Sequence, residues 1–326
     1  MEIRRMCPLA KLYQPQEGMN LSSPEVVFME RLAAGKVYDA LTLIRDAKQF
    51  TGAPPVVDAP YGRFEGVTEI RDFIEGFVKR FHADGLSIQP MFQTRSGGRS
   101  VTEMVLNFEV DGMIDQVPMF VVCDLGSRNK IEELRLYCHA SYVPDLTPYR
   151  RPMFKPAHLE MGDPGLLTGA VKEYYTALHH MPHVDVERIL ACMHPDCVFG
   201  GYDSPENKSD HSDLRAVYER MATYIPSKVA MRYETIIDDG VTGVIEWVHV
   251  ISDAGRTDLN RIALSGIAAY QRGEDGRLIS IRISDYAGWE SRIDWEQVGM
   301  TREEAEKINA VHTFPAGVGD KTQDLL

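Results

Sequence analysis

The sequence predicts two successive α+β domains, each with helices first and a meander of antiparallel strands after them. Three observations carry this. The chain has 326 residues, and at about 150 residues per domain that is the length of two. In each half, segments of helical period precede runs of strand-like alternation. The halves can also be laid on each other: Lys36 to Phe50 spans as much as Asp185 to Phe199, and KIEELRLYCHASY from Lys130 lies on RLISIRISDYAGW from Arg277 without a gap. Self-similarity at a period of about 147 residues means tandem domains, since solenoids repeat every 20 to 50 or so.

Residues 1–22 read as an extended N-terminal arm, with Pro8 and Pro15 and no helical period. The first domain then occupies 23–143. Ser23 can cap a helix with Pro24 in its first turn and Val27, Phe28 and Leu32 on one face. Gly35 breaks it, and a short helix follows (Val37, Leu41, Ile44), ending near Phe50. Pro54 and Pro55 predict a loop through Tyr61-Gly62. The clearest helix is Thr68 to Phe81, where Ile70, Phe73, Ile74, Phe77, Val78 and Phe81 form one continuous apolar face. Strands are predicted at Ile88–Thr94, Ser100–Val110, Val117–Asp124 and Lys130–Tyr142, with turns at Ser96-Gly97-Gly98, Asp111-Gly112 and Gly126–Asn129.

The proline-spotted stretch 144–165 reads as a linker. The second domain, 166–295, repeats the plan: a helix from about Leu166 to His180, a short one from Asp185 to Met193, and a longer one from near Ser212 with Leu214, Val217, Tyr218, Met221 and Ile225 on one face. Strands follow at Val229–Ile237, Val241–Ser252, Arg261–Arg272 and Leu278–Tyr286. In the last part, 296–326, Thr301 to Glu304 form a capping box opening a polar helix, and a Gly-rich tail follows.

Composition narrows the function classes. The net charge of −13 repels phosphate backbones and anionic lipid, so neither nucleic acid nor membrane is an expected partner. No stretch approaches the length of an apolar span, and no apolar run follows the N-terminal charges as in a signal peptide. The five cysteines, an odd number in a long chain, read as reduced thiols. The expected location is the cytoplasm. GxGxxG, GxxxxGK[ST] and GxSxG are all absent from the sequence.

Each half resembles the NTF2-like superfamily, in its SnoaL-like and ketosteroid-isomerase-like branch. The resemblance rests on LAAGKVYDALTLIRDAKQF, YGRFEGVTEIRDFIEGF and KIEELRLY in the first copy. In the second it rests on VDVERILACMHPDCVF, HSDLRAVYERM and GRLISIRISDYAGW. It covers most of 25–145 and 166–295. It implies two cone-shaped α+β barrels, each a curved, mostly antiparallel sheet wrapped on three helices around an apolar pocket. Two such halves are expected to pair as an intrachain pseudo-dimer, with further homo-oligomers open.

Such pockets work without cofactors, and none is expected here. A carboxylate raised by apolar walls removes a proton, while a tyrosine, histidine or protonated carboxyl steadies the oxyanion. In the second copy the resemblance matches Tyr175 to the tyrosine that donates to the oxyanion, after a two-residue insertion before Asp185. The family's general base falls at Gly201, so Asp203 takes that role only if the loop shifts; otherwise Asp203 caps a turn with Ser204-Pro205. The family's strand aspartate would fall near Ser265-Gly266 and is missing. Asp285 continues the strand face of Ile279, Ile281 and Ile283, as a pocket-mouth acid or as the ion-pair partner of Arg261. Trp247 and His249 share a strand face; His249 is a second oxyanion donor or a structural residue. Tyr202, Trp247, Tyr218 and Arg261 are the candidate substrate contacts.

His179, His180, His183 and His194 lie around a helix end, where histidine favours the dipole, and lack the spacing of a zinc helix, so no metal is expected. Asp185 reads as a helix cap. The first copy has Phe28 at the tyrosine's place and Lys36 at an aspartate's, and reads as mainly structural. Its Tyr38, Tyr61, His82 and His139 leave a dehydratase-like site open, because scytalone-dehydratase-like members use tyrosine, aspartate and histidine. Two functions therefore stand side by side. One is a cofactor-independent lyase, dehydratase, isomerase or cyclase on a small aromatic or polycyclic hydroxy or keto compound. The other is a non-catalytic ligand-binding or assembly module.

Overall fold

The computed structural model of the protein describes residues 2–45, 54–59, 62–80, 84–138, 166–178, 184–201, 211–222, 229–252 and 261–284. The chain divides into two compact units, Met1–Pro148 and Tyr149–Leu326. Both are α+β. The sequence-predicted linker at 144–165 and the C-terminal helix and tail lie outside the described residues, as does Phe50. No described helix is long and apolar enough to cross a membrane.

The first unit contains, in order, β1 (Glu2–Arg5), α1 (Pro8–Leu12), α2 (Pro24–Ala33), α3 (Val37–Leu41), β2 (Val56–Ala59), β3 (Gly62–Glu65), α4 (Gly66–Arg80), β4 (Gly85–Ser96), β5 (Arg99–Val110), β6 (Met113–Leu125) and β7 (Ile131–Cys138). The sheet order is β3-β2-β7-β6-β5-β4, with β1 added beside β6. Strands β4 to β7 form the expected antiparallel meander. At its Asp111-Gly112 turn both residues have positive φ (54° and 74°), the geometry that matches strand twist in a two-residue hairpin.

α4 lays Ile70, Phe73, Ile74 and Phe77 on the sheet, against Phe28, Met29 and Leu32 of α2 and a strand face that includes Met104, Leu106, Phe108, Met119, Val121 and Leu136. Each such side chain contributes about 1.5–3 kcal/mol by leaving water. The helix period was legible because this face is unbroken.

Two expectations are corrected in this unit. The arm is not simply extended: Arg4 Nε donates to Asp115 at 2.8 Å, pinning β1 in parallel register with β6. Cys7 then caps α1, its Sγ accepting from the Ala10 amide, and Cys7 and Leu9 are buried. The arm is laced to β4 as well, by Gln16 N–H to the Met91 carbonyl (2.7 Å) and by Gln93, whose side chain accepts from Asn20 N–H (3.0 Å). The stretch expected as a loop after Pro55 is a hairpin, β2 with β3, and β2 also pairs in parallel with β7.

The second unit contains α5 (Gly169–Leu178), α6 (Val186–Ala191), β8 (Met193–Gly201), α7 (His211–Ala222), β9 (Val229–Asp238), β10 (Thr242–Ser252), β11 (Arg261–Arg272) and β12 (Leu278–Ser284). The order is β8-β12-β11-β10-β9, with β8 parallel to β12 and the rest antiparallel. β8 was not expected as a strand. The second unit thus runs helix, helix, short strand, helix and four-strand meander; from α2 onward the first unit follows the same order with one extra short strand, β3, and in both a short strand (β2, β8) pairs in parallel with the last strand. The gapless sequence register also places Arg135 of β7 on Arg282 of β12, and both side chains are buried. Arg135 donates to Asp124 (2.7 Å); Arg282 donates to Gln271 and Ser280 (2.8 Å each).

Candidate functional site

Local sequence sets the second unit's interior. Val171, Tyr174, Tyr175 and Leu178 recur at helical spacing on α5, so its buried face carries two adjacent phenols. The helix start is fixed by Asp238 on β9, which accepts from Thr168 N–H (3.1 Å) and Oγ1 (2.9 Å) and from both terminal nitrogens of Arg272 (2.9 and 2.6 Å). Gly243 on β10 lets the helix lie close: a Cβ there would meet Val171 Cγ1 at 3.2 Å. At the other end, Asp185 caps α6 by accepting from Arg188 N–H (3.1 Å), as the sequence indicated, and Asp185 N–H bonds the Ala177 carbonyl (2.9 Å).

This frame brings four tyrosines together. Tyr174 Oη lies 2.9 Å from Tyr218 Oη of α7, and Tyr175 Oη lies 2.8 Å from Tyr270 Oη of β11. The rings meet edge-on or tilted, with Tyr174–Tyr270 centroids at 5.2 Å and Tyr175–Tyr270 at 5.3 Å. Phe199 of β8 packs on Tyr218 at 5.9 Å. Around them lie Leu167, Ile189, Cys197, Leu214, Ile245, Ala268 and Ile281.

Burial drives the electrostatics. It pushes the phenols of Tyr174 and Tyr218 above the ordinary tyrosine value, and the Cys197 thiol up to about 12. Tyr174 and Tyr218 are therefore held away from the phenolate form, as hydroxyls able to donate and accept hydrogen bonds.

Of the sequence-predicted site residues, the structure thus unites Tyr175 and Tyr218. Tyr174 and Tyr270 were missed; their signals were Tyr174's place on the apolar face of α5 and Tyr270's alternation with Ala268 on β11. Trp247 and His249 are placed by backbone register, opposite Gly266 and Leu264 of β11, and Arg261 opposite Ser252. Asp203, Tyr202 and Asp285 lie outside the described residues. The strands leading to them are described. β8 and β12 run parallel, with Gly201 paired to Ile283, so they end side by side just before those two carboxylates in sequence.

In the first unit, Phe28 occupies an apolar core and Tyr38, 77% exposed, faces solvent instead of a pocket. Tyr61, His82 and His139 lie outside the described residues, as do His179, His180 and His183. His194 accepts from the Asp196 amide at 3.1 Å. Among the described residues, no group of three or more His, Cys, Asp or Glu could hold a metal ion.

Residues 171–281 match the family model of the SnoaL-like domain. The likeness to the SnoaL-like family thus falls within the second unit and does not reach the first. Among solved structures, a protein from Kribbella flavida DSM 17836 is 14% identical, over 38% of this chain and 91% of that one, with a TM-score of 0.29. An NTF2-like protein of unknown function from Cytophaga hutchinsonii ATCC 33406 is 12% identical, over 38% and 93%, with a TM-score of 0.27. The epoxide hydrolase/cyclase-like enzyme SalBIII, of pyran ring formation in salinomycin, is 12% identical, over 36% and 87%, with a TM-score of 0.29. At such scores these likenesses carry no further argument. No curated protein matches the sequence.

Proposed function

We propose that the second unit is a cofactor-independent acid/base enzyme, of lyase, dehydratase, isomerase or cyclase type, acting on a small aromatic or polycyclic hydroxy or keto compound. The observation that carries this is the buried cluster of four tyrosines in the apolar interior of the unit that matches the SnoaL-like family. A neutral hydroxyl in a dry wall stabilises an oxygen that gains charge far better than water does. In this reading Asp203 takes the proton from the carbon beside the substrate carbonyl. The C–H electrons move into an enolate, and Tyr175 donates a hydrogen bond to its oxygen. The enolate is then reprotonated elsewhere or expels a leaving group that Asp285 or His249 protonates. Tyr202, Trp247 and Arg261 hold the substrate.

The test is a thermal-shift screen of aryl ketones and hydroxyaryl compounds on the full chain, with stabilising compounds assayed for turnover. Asp203→Asn, with folding checked by circular dichroism, is expected to lose at least about a hundredfold in rate. Near-normal turnover sinks the assignment. The closed packing of the tyrosines, which pair with each other, favours the alternative of a non-catalytic binding module. That reading prevails if compounds bind and none is converted.

A further inference from the structure

We propose that the interior of the first unit holds a binding site for a small ammonium-type cation, the free ion or the head of a primary amine, with Glu25 of α2 as its anchor and Ser100 of β5 beside it. The site does not depend on the acid/base activity proposed for the second unit.

The two units treat one helix–strand crossing differently. In the second, Val171 of α5 lies on Gly243, the second residue of β10, where an added Cβ would meet Val171 Cγ1 at 3.2 Å. α2 buries Glu25, Phe28, Met29 and Leu32 at the spacing at which α5 buries Val171, Tyr174, Tyr175 and Leu178. Glu25 thus takes the place of Val171, and Ser100, the second residue of β5, that of Gly243. An apolar contact has become a carboxyl over a hydroxyl. Both residues are sealed, at 0% exposure. Glu25 Oε1 accepts from Gln93 Nε2 (3.0 Å) and Thr102 Oγ1 (3.3 Å). Thr102 shares a strand face with Ser100, and Ser100 is paired with Cys123 of β6. Burial first, and then the nearby Glu25, raises the Cys123 thiol well above its ordinary value, so it is a neutral neighbour.

Hydrogen-bond donors run short in this cluster. Glu25 Oε2 and Ser100 Oγ have no partner among the described residues. A carboxylate only accepts. The one amide nitrogen at hand, Gln93 Nε2, is already shared between Ser23 Oγ (3.0 Å), Glu25 Oε1 and Thr102 Oγ1. An acceptor left unmade in the interior is costly, and valine over glycine at the same crossing of the second unit carries no such cost. A primary ammonium supplies what is missing: three donors, no acceptor, and one positive charge against one carboxylate. A divalent metal would find a single carboxylate and keep excess charge. The chain's own alternative is Arg95, opposite Ser100 on β4; it is exposed and makes no ion pair among the described residues. A guest enters where the arm lifts from Gln93, which Gln16 and Asn20 hold by two hydrogen bonds (2.8 and 3.0 Å).

Thermal unfolding of the full chain tests this, in ammonium, methylammonium, potassium or tetramethylammonium chloride at equal ionic strength. Potassium and tetramethylammonium carry the charge without a donor. Ammonium or methylammonium is expected to raise Tm by roughly 3–6 °C over them when tenfold above its Kd; the stronger of the two tells a free ion from the head of an amine. Glu25→Gln keeps the shape and should abolish the difference. Equal Tm in all four salts, or a difference that survives Glu25→Gln, overturns the site. Because Glu25→Gln alone could fold poorly, Glu25→Val with Ser100→Gly copies the crossing of the second unit. It should unfold no lower than wild type in potassium chloride and show no response to the two donors. A double variant that unfolds well below wild type marks Glu25 as structural and overturns the proposal. Arg95→Gln should leave the response in place; a response that appears only in Arg95→Gln makes Arg95 the natural counter-charge and overturns it too.

Discussion

Asp238→Ala tests what fixes the tyrosine-bearing helix. The carboxylate of Asp238 accepts from both terminal nitrogens of Arg272, from the Thr168 amide and hydroxyl, and from the Gly240 amide (2.9 Å). The ion pair is nearly sealed, with side chains 8% and 3% exposed. Removing one member of a buried pair costs about 3–5 kcal/mol, because the other charge stays behind. Arg272 keeps its bonds to the Thr168 carbonyl and hydroxyl, which argues for the lower end, about 3 kcal/mol. For a domain of this size that is a fall of about 6–12 °C in Tm. The assay is thermal unfolding of the full chain, followed by circular dichroism. Asp238→Leu combined with Arg272→Met should recover much of the loss, since no uncompensated charge remains. Acid adds a second check. Burial would raise the Asp238 pKa, but Arg272, the Gly240 amide and Thr168 together hold it below the usual value of 3.8. The contribution of Asp238 is then complete above that value and is lost as pH falls through the folded pKa. A loss of less than about 1 kcal/mol, or a double variant no better than the single one, refutes this account of how α5 is held.

Asp58 should behave in the opposite sense. Burial outweighs the neighbouring Arg63 and lifts its carboxyl to about 7. The stability it contributes is fully present below 3.8 and is lost as pH rises through about 7; Asp58→Asn should flatten urea-unfolding stability across that window. Gly243→Ala places a methyl 3.2 Å from Val171 and should destabilise by about 1–3 kcal/mol, with Val171→Ala in the same chain relieving the clash. All five cysteines are buried free thiols, so a native thiol titration near pH 8 should find none reacting quickly and a denatured one should find five; a fast native thiol would contradict the packing.

What was legible in the sequence depended on how local the cause was. α4 and strands β4 to β7 announce themselves, because period and turn chemistry lie within a dozen residues of each other. β1, β2, β3 and β8 do not. They are short, and pairings such as Ile3 with Ile114 or Phe199 with Ile281 join residues far apart in the chain. α1 is five residues long, less than two turns, and gives no period to read. The site divides in the same way. Tyr175 was found by resemblance and Tyr218 by its helical face. That their hydroxyls belong to one cluster with Tyr174 and Tyr270 is a tertiary fact, made by partners 44 and 95 residues apart. The sequence also weighted Asp203 and the histidines, because charged side chains are conspicuous, over phenols that pass for core.

The parallel pairing of β8 with β12 bears on how the protein is made. β8 precedes α7 and the whole meander, yet its strand partner is the last strand of its unit. On a ribosome, β8 and the Phe199 that packs on Tyr218 must wait, unpaired, until residues beyond Leu278 have emerged. The same delay holds in the first unit, where β2 waits for β7. Sheets closed by such distant partners fold slowly and expose apolar strands meanwhile. A chain stopped before Leu278 would carry β9 to β11 with no strand to join them to β8, so stalled or truncated products are substrates for chaperones or aggregation.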